Sequence, residues 1–334
     1  MGGVNLSCDL DIYFDKKYIF PYKYLDYITN DNDVAVYNNF TIYLIMSTAK
    51  LKITKAIFNS GKLYITYRNE KTGKINTITN KIFPIQIPNN YISINIHKSK
   101  YTVTIKLTED SYDFLIDNNF EPTIAKALIS EGLKVDIYAL IMQNYNILLD
   151  EFSLLYIGQS SNVIKRLTSH KTIQKIVRDC TLEYEESEIL IMLMHPKAKR
   201  IDSFEVSKLS LQGLISQSSA NNGNDLIENI DSAEILDAVE IMLIQAFRPK
   251  YNIMHKKANP SKKQKKYAKF YDANIKNICV SFDLEFECDT INLKTETLNT
   301  QNYSGLMLKC PLTELSNNDE VNIEIKYIDD DDIF

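Results

Sequence analysis

Three short stretches of this chain carry side chains able to handle a phosphate group. In LLYIGQSSNVIKRLTSH, residues 154–170, an apolar segment passes through Gly158 into a helix start. Arg166 and His170 stand four apart, so one helix face carries both. Ser160 or Ser161 suits the helix cap, and a capped helix start offers free N–H groups to an anion. A guanidinium pairs with two phosphate oxygens and stays charged at every relevant pH. In AEILDAVEIMLIQAF, residues 233–247, Glu240 falls on the apolar stripe of Leu236, Val239, Leu243, Ile244 and Phe247. A carboxylate turned toward a core must be paired or must hold a cation. A buried salt bridge, with Arg166 as one partner, and a Mg²⁺ ligand fit that spacing equally well. Glu234 and Asp237 fall on more polar positions and read as a solvated face. Tyr138 in DIYALI and Tyr156 in LLYIG would reach one site if their strands pair.

The elements that must position these groups follow from periodicity. NFTIYLIMS (39–47), GKLYITYRN (61–69) and KYTVTIKLT (100–108) alternate β-branched or aromatic residues with polar ones, as strands do. EPTIAKALISEGL (121–133) reads as a helix, with Pro122 in its first turn and Gly132 at its end. VDIYALIMQ (135–143) and SLLYIG (153–158) read as strands, NVIKRLTSHKTIQKIV (162–177) as one helix, and ESEILIMLMH (186–195) as a further strand. Residues 212–230, rich in Gln, Ser, Asn and Gly, read as a surface loop. Residues 233–247 form an amphipathic helix that Arg248-Pro249 ends. HKKANPSKKQKKYAKF (255–270) is a lysine-rich run, either a solvated linker or a strap against phosphates. NICVSFDLEFE, SGLMLKC and VNIEIKYI return to a β pattern before an acidic end, DDDDIF.

Composition narrows the classes. The 334 residues are enough for two or three domains, and 45% hydrophobic content excludes a disordered chain. A net charge of −5 confines any nucleic-acid contact to local basic patches. Five cysteines without CxxC spacing read as free thiols in a reducing compartment and speak against structural zinc. The start, MGGVNLSCDLDIYFDKK, lacks the layout of a signal peptide. No apolar run approaches the ~20 residues of a membrane span. A soluble, cytoplasmic protein with no membrane partner is the expectation.

The order Tyr138, Tyr156-Ile157-Gly158, Asn162, Arg166, His170, Glu240 and Pro249-Lys250-Tyr251-Asn252 resembles the GIY-YIG nuclease superfamily, in particular its restriction and defence members. The resemblance covers roughly residues 134–255. In that family a hairpin carries GIY and YIG, a following helix carries a fixed Arg, and a later helix carries the metal-binding Glu. The first motif here is Asp136-Ile137-Tyr138, without the leading Gly, and its connection to Tyr156 is longer than a tight hairpin. Tyr145 has the more usual spacing, but its surroundings, QNYNILLD, read as a turn.

The resemblance implies an α+β fold. A central GIY-YIG-like α/β nuclease domain, a small mainly antiparallel sheet flanked by helices, would stand between β-rich N- and C-terminal regions. Its expected divisions are a β-rich recognition or assembly domain (1–118), a connecting helix (119–133), the nuclease domain (134–255), a lysine-rich linker or DNA strap (256–272) and a β-rich C-terminal region (273–334). The implied activity is hydrolysis of DNA phosphodiesters with Mg²⁺ or Mn²⁺. Tyr138, Tyr156, Arg166, His170, Glu240 and Asn252 are the implied catalytic set, with Glu240 as the metal ligand. Ser160, Asn162, Lys165, Lys250, Lys256, Lys257, Lys262 and Lys263 are the expected nucleic-acid contacts. A restriction or phage-defence role leads; homing or repair cleavage, or nucleic-acid binding without cleavage, are the alternatives. Cutting both strands would require a homodimer or two encounters, and the β-rich flanks leave room for a protein partner.

Overall fold

The computed structural model describes residues 7–30, 37, 39–138, 140, 151–183, 187–203, 232–253, 268–286, 289–301, 303–312 and 323–328. Among them strand outweighs helix, 46% against 29%. The chain begins with β1 (Ser7–Pro21), α1 (Leu25–Asn30) and β2 (Ile42–Ala49). There follow β3 (Leu51–Asn59), β4 (Lys62–Asn69), β5 (Ile75–Asn80), β6 (Ile92–Ile96) and β7 (Thr102–Leu107). Next come α2 (Tyr112–Asp117), α3 (Pro122–Ser130) and β8 (Leu133–Asp136). The centre holds β9 (Phe152–Gln159), α4 (Val163–Ser169), α5 (Lys171–Glu183), β10 (Ser187–Ser203) and α6 (Ser232–Phe247). Then come α7 (Ala268–Asp272), β11 (Ile275–Asp283), a short pair β12 (Glu285–Phe286) and β13 (Asp289–Thr290), β14 (Leu293–Lys294), β15 (Gly305–Pro311) and β16 (Glu324–Ile328).

Eight of these strands join in one curled mixed sheet, in the order β14-β9-β2-β10-β1-β11-β15-β16. The pairs β1–β11 and β14–β9 are parallel and the other pairs antiparallel. This overturns the expected small central sheet between separate β-rich flanks. The cause lies in β10, which is 17 residues long. It pairs along one edge with β2, and along the other with nearly the whole of β1. Both edges of the central strands are therefore taken by strands from outside residues 134–255. Alternation in a sequence shows that a segment is a strand, not which strand it will lie beside.

The middle of the sheet is covered on both faces. On one face Ile42, Leu44, Met46, Leu190, Met192 and Met194 pack against Val239, Met242, Leu243 and Phe247 of α6. On the other, Tyr43, Ile45, Ile189, Ile191 and Leu193 pack against α4 and α5 through Val163, Leu167, Ile173 and Ile176. The Leu236, Val239, Leu243, Ile244, Phe247 stripe read from the sequence is thus the buried side of α6.

Residues 51–140 form a second core of their own, inserted between β2 and β9. Two three-stranded sheets, β3-β4-β5 and β6-β7-β8, enclose it together with α2 and α3. Pro122 opens α3 at its first turn, and Gly132, at φ +78°, follows its end. A Cβ at Gly132 would press on the Ile105 carbonyl oxygen, at 2.8 Å. The surface loop 212–230, the lysine run, the acidic end and Tyr145 lie outside the described residues. No helix among the described residues is long and apolar enough to cross a membrane.

Candidate functional site at the end of the YIG strand

β9 pairs antiparallel with β2, so Tyr156-Ile157-Gly158 lies against Ile45-Leu44-Tyr43. Tyr43 stands opposite Gly158, and Ile45 opposite Tyr156. Tyr43 and Tyr156 are therefore diagonal neighbours on one sheet face, with ring centroids 6.1 Å apart. The register shifts between Ile45 and Met46, which leaves Leu155 as the extra residue of a β-bulge in β9. Such bulges re-aim a side chain, and here Leu155 and Tyr156 both pack toward α4 and α5.

Gly158 is part of the strand and not the point where the chain turns into the helix. β9 runs straight through it to Gln159. A Cβ at Gly158 would overlap the Tyr43 ring and hydroxyl, and would come within 2.9 Å of Tyr156 Cε1. The glycine is the seat on which the Tyr43 phenol lies.

The helix after β9 is shorter than expected. Asn162, rather than Ser160 or Ser161, caps α4: its Oδ1 accepts the Lys165 N–H at 3.0 Å. Ser160 Oγ in turn accepts the Asn162 N–H at 3.1 Å. α4 stops at His170, whose backbone is extended, and α5 starts anew at Lys171. Arg166 and His170 thus do not share one continuous helix, yet both turn toward the tyrosines. The His170 ring lies 5.8 Å from that of Tyr156. Arg166 is exposed and acts electrostatically on Tyr43, Tyr156 and His170.

Glu240 approaches from α6, on the other side of the sheet. Burial raises its carboxyl pKa, and Asp237 adds to the rise, while Gln159 holds the carboxylate through both side chain and backbone and opposes it. Gln159 Nε2 also donates to Asp237 Oδ1. Asp237, read from the sequence as solvated, therefore stands one turn from Glu240 on the same anchor. Arg166 influences Glu240 at a distance, without the direct salt bridge that was one of the two alternatives. Among the described residues there is no group of three or more His, Cys, Asp or Glu that could hold a metal. Two carboxylates one turn apart still suit a hard cation that keeps several waters and takes phosphate oxygens.

The phenols titrate high. Burial pushes Tyr43 well up, with Tyr156 adding to the rise and Arg166 opposing it. Burial and then Glu240 raise Tyr156, with Arg166 and Tyr43 opposing. Burial and then Arg166 lower the His170 pKa, which keeps the imidazole neutral at pH 7. Two buried polar atoms here lack a partner among the described residues, Tyr43 Oη and His170 Nδ1. Arg166 and Tyr156 are close enough to bias the Tyr43 phenol without making a well-directed hydrogen bond to it.

Pro249-Lys250-Tyr251-Asn252 braces the site from the open edge of β9. β14 covers that edge only at Phe152 and Ser153. Further along, the Tyr251 N–H donates to the Leu155 carbonyl at 3.0 Å. The buried Asn252 side chain accepts the Ile157 N–H at 2.9 Å and donates to the Ile157 carbonyl at 2.8 Å. Asn252 thus clamps the strand that carries Tyr156. Tyr251 Oη donates to Asp179 of α5 at 3.1 Å, and Lys250 lies over the Tyr251 ring.

The other expected partner of Tyr156 stands elsewhere. Tyr138 is buried in the second core. Its Oη accepts the Leu51 N–H at 2.9 Å and donates to the Ala49 carbonyl at 3.3 Å, stapling the two ends of the insertion. The structure brings together Tyr156, Arg166, His170, Glu240 and Asn252, with Ser160, Asn162, Lys165 and Lys250 around them. Lys256, Lys257, Lys262 and Lys263 lie outside the described residues. Sequence reading missed Tyr43 and Gln159. Thr41-Ile42-Tyr43 repeats the Ile-Tyr pair of Asp136-Ile137-Tyr138, and the unbroken apolar run Ile42–Met46 marks a strand buried on both faces. Compared with protein-family models, curated proteins and solved structures, the chain finds no match.

Proposed function

We propose that this chain is a divalent-metal-dependent DNA endonuclease that hydrolyses phosphodiester bonds, in a restriction or phage-defence setting. The observation that carries the reading is the meeting of Tyr43, Tyr156, Arg166 and Glu240, drawn from four separate segments, at one end of β9. The resemblance at YIGQSSNVIKRLTSH and at Glu240 to PKYN supports the same reading, with Thr41-Ile42-Tyr43 in the place first given to Asp136-Ile137-Tyr138.

Glu240, with Asp237 beside it, would hold Mg²⁺ or Mn²⁺, which neutralises charge on the scissile phosphate and the departing oxygen. Arg166 supplies a fixed positive charge to the phosphate in the transition state. The high-titrating phenols of Tyr43 and Tyr156 hydrogen-bond and orient an attacking water. Neutral His170, whose ring lies beside that of Tyr156, would take up through the phenol the proton that the attacking water loses as its oxygen bonds to phosphorus. Asn252 is a positioning residue that keeps β9 in register.

Purified protein with Mg²⁺ and supercoiled plasmid tests this. Wild type should nick the DNA, and Glu240→Ala should lose nicking by about 10²-fold or more. Equal nicking by both would refute the assignment. DNA binding without nicking by wild type would leave a binding protein in its place.

A further inference from the structure

The inserted unit hides a charge imbalance. The whole chain has a net charge of −5, yet residues 51–108 hold ten Lys or Arg against one acidic residue, Glu70. That carboxylate is already taken up by Lys52 and Arg68, each at 2.8 Å.

Strand register gathers six of the ten at one end. Lys52 stands opposite Arg68, and Leu51 opposite Asn69. Asn69 then builds the β4–β5 turn: its Oδ1 accepts the N–H groups of Lys71 and Thr72 at 3.0 Å, and its carbonyl accepts the Gly73 N–H at 2.8 Å. Gly73 takes the left-handed conformation the turn needs, at φ +72°. Lys71 and Lys74 project from this turn, both exposed. The β6–β7 turn presents Lys98 and Lys100, also exposed. It is tied to the same end of β3, because the Lys100 carbonyl accepts the Ile53 N–H at 2.7 Å.

We propose that this end of the insertion, formed by Lys52, Arg68, Lys71, Lys74, Lys98 and Lys100, docks the phosphate backbone of duplex DNA. Charge complementarity selects the occupant: a dense, repeating row of negative charge is what six bases with one carboxylate among them, Glu70, attract. The choice of DNA among polyanions rests on the nuclease reading; the basic end itself does not. The cluster and Tyr43 mark opposite ends of β2, about 20 Å apart at ~3.3 Å per residue. A duplex touching both is gripped about six base pairs from the candidate site.

The test uses the full chain with Glu240→Gln, so that DNA stays intact, and a labelled duplex read by fluorescence anisotropy from about 50 to 300 mM NaCl. Adding Lys71→Ala, Lys74→Ala and Lys98→Ala should weaken binding about tenfold or more. It should also flatten the slope of log affinity against log salt by about two to three, near 0.9 per lost contact. Arginine at the same positions should restore both, and matched thermal melts exclude misfolding. Unchanged affinity and slope would overturn the proposal, as would equally tight binding to anionic phosphatidylserine vesicles. Lysine-dependent binding by a wild type that never nicks removes only the nuclease reading. Nicking by a wild type whose binding ignores these lysines removes only the docking surface.

Discussion

At the residue scale, the tyrosine that the sequence singled out, Tyr138, and the one it left unmarked, Tyr43, have different surroundings. Tyr43 Oη is buried, faces Arg166 and lacks a partner among the described residues, whereas Tyr138 Oη is engaged with backbone groups of residues 49 and 51. Tyr43→Phe should therefore reduce nicking by about 10²-fold with little change in the unfolding midpoint. Tyr138→Phe should leave nicking near wild type but cost about 1–3 kcal/mol, because the Leu51 N–H loses its acceptor. Plasmid nicking and urea denaturation on the two variants separate these outcomes, and a reversed pattern would return Tyr138 to the site. Tyr156, Arg166 and Glu240 were legible because each lies in a contiguous stretch whose spacing survives intact. Tyr43 was not, because the insertion moves it more than a hundred residues from its partner.

At the scale of elements, the site depends on β9 keeping its bulge and its register. The strand is held by β2 on one side, and on the other largely by two residues, Tyr251 and Asn252, beyond the end of α6. Asn252 belongs to the catalytic set that the resemblance implies. Its burial and its two bonds to Ile157 make it a clamp on β9. Asn252→Ala should cost about 1–3 kcal/mol by leaving the Ile157 N–H and carbonyl unpaired. It should lower nicking through a misplaced Tyr156 while DNA affinity holds. Denaturant titration together with anisotropy checks both parts, and an unchanged midpoint would contradict the clamp. Most strands and α6 were legible from alternation and from an apolar stripe. The break at His170 was not, since residues 162–177 satisfy helical periodicity on both sides of it.

At the scale of the whole molecule, the insertion is joined to the large sheet by a charged cluster. Lys23 bridges Glu188 of β10 and Asp136 of β8, at 3.3 and 3.4 Å, and Tyr24 Oη donates to Asp136 at 2.5 Å. Burial raises the Glu188 carboxyl pKa, with Lys23 opposing the rise. Its folded pKa exceeds its unfolded one, so its stabilising contribution is complete below the unfolded value and is lost as pH rises through the folded value. Glu188→Gln should therefore melt above wild type at neutral pH, with the difference closing below about pH 4. Thermal melts across that range check it, and a difference that widens in acid would contradict the assignment. The joining of both ends of the chain to the centre was the least legible feature, because strand patterns carry no address. That joining also sets when the site can exist. Tyr43 waits for Tyr156, β1 waits for β10 and β11, and Asn252 must arrive before β9 is clamped. Contacts so distant along the chain close slowly, after their loop entropy has been met. A nascent chain on the ribosome thus carries no assembled candidate site until synthesis has passed residue 252, long after Tyr43 has left the tunnel.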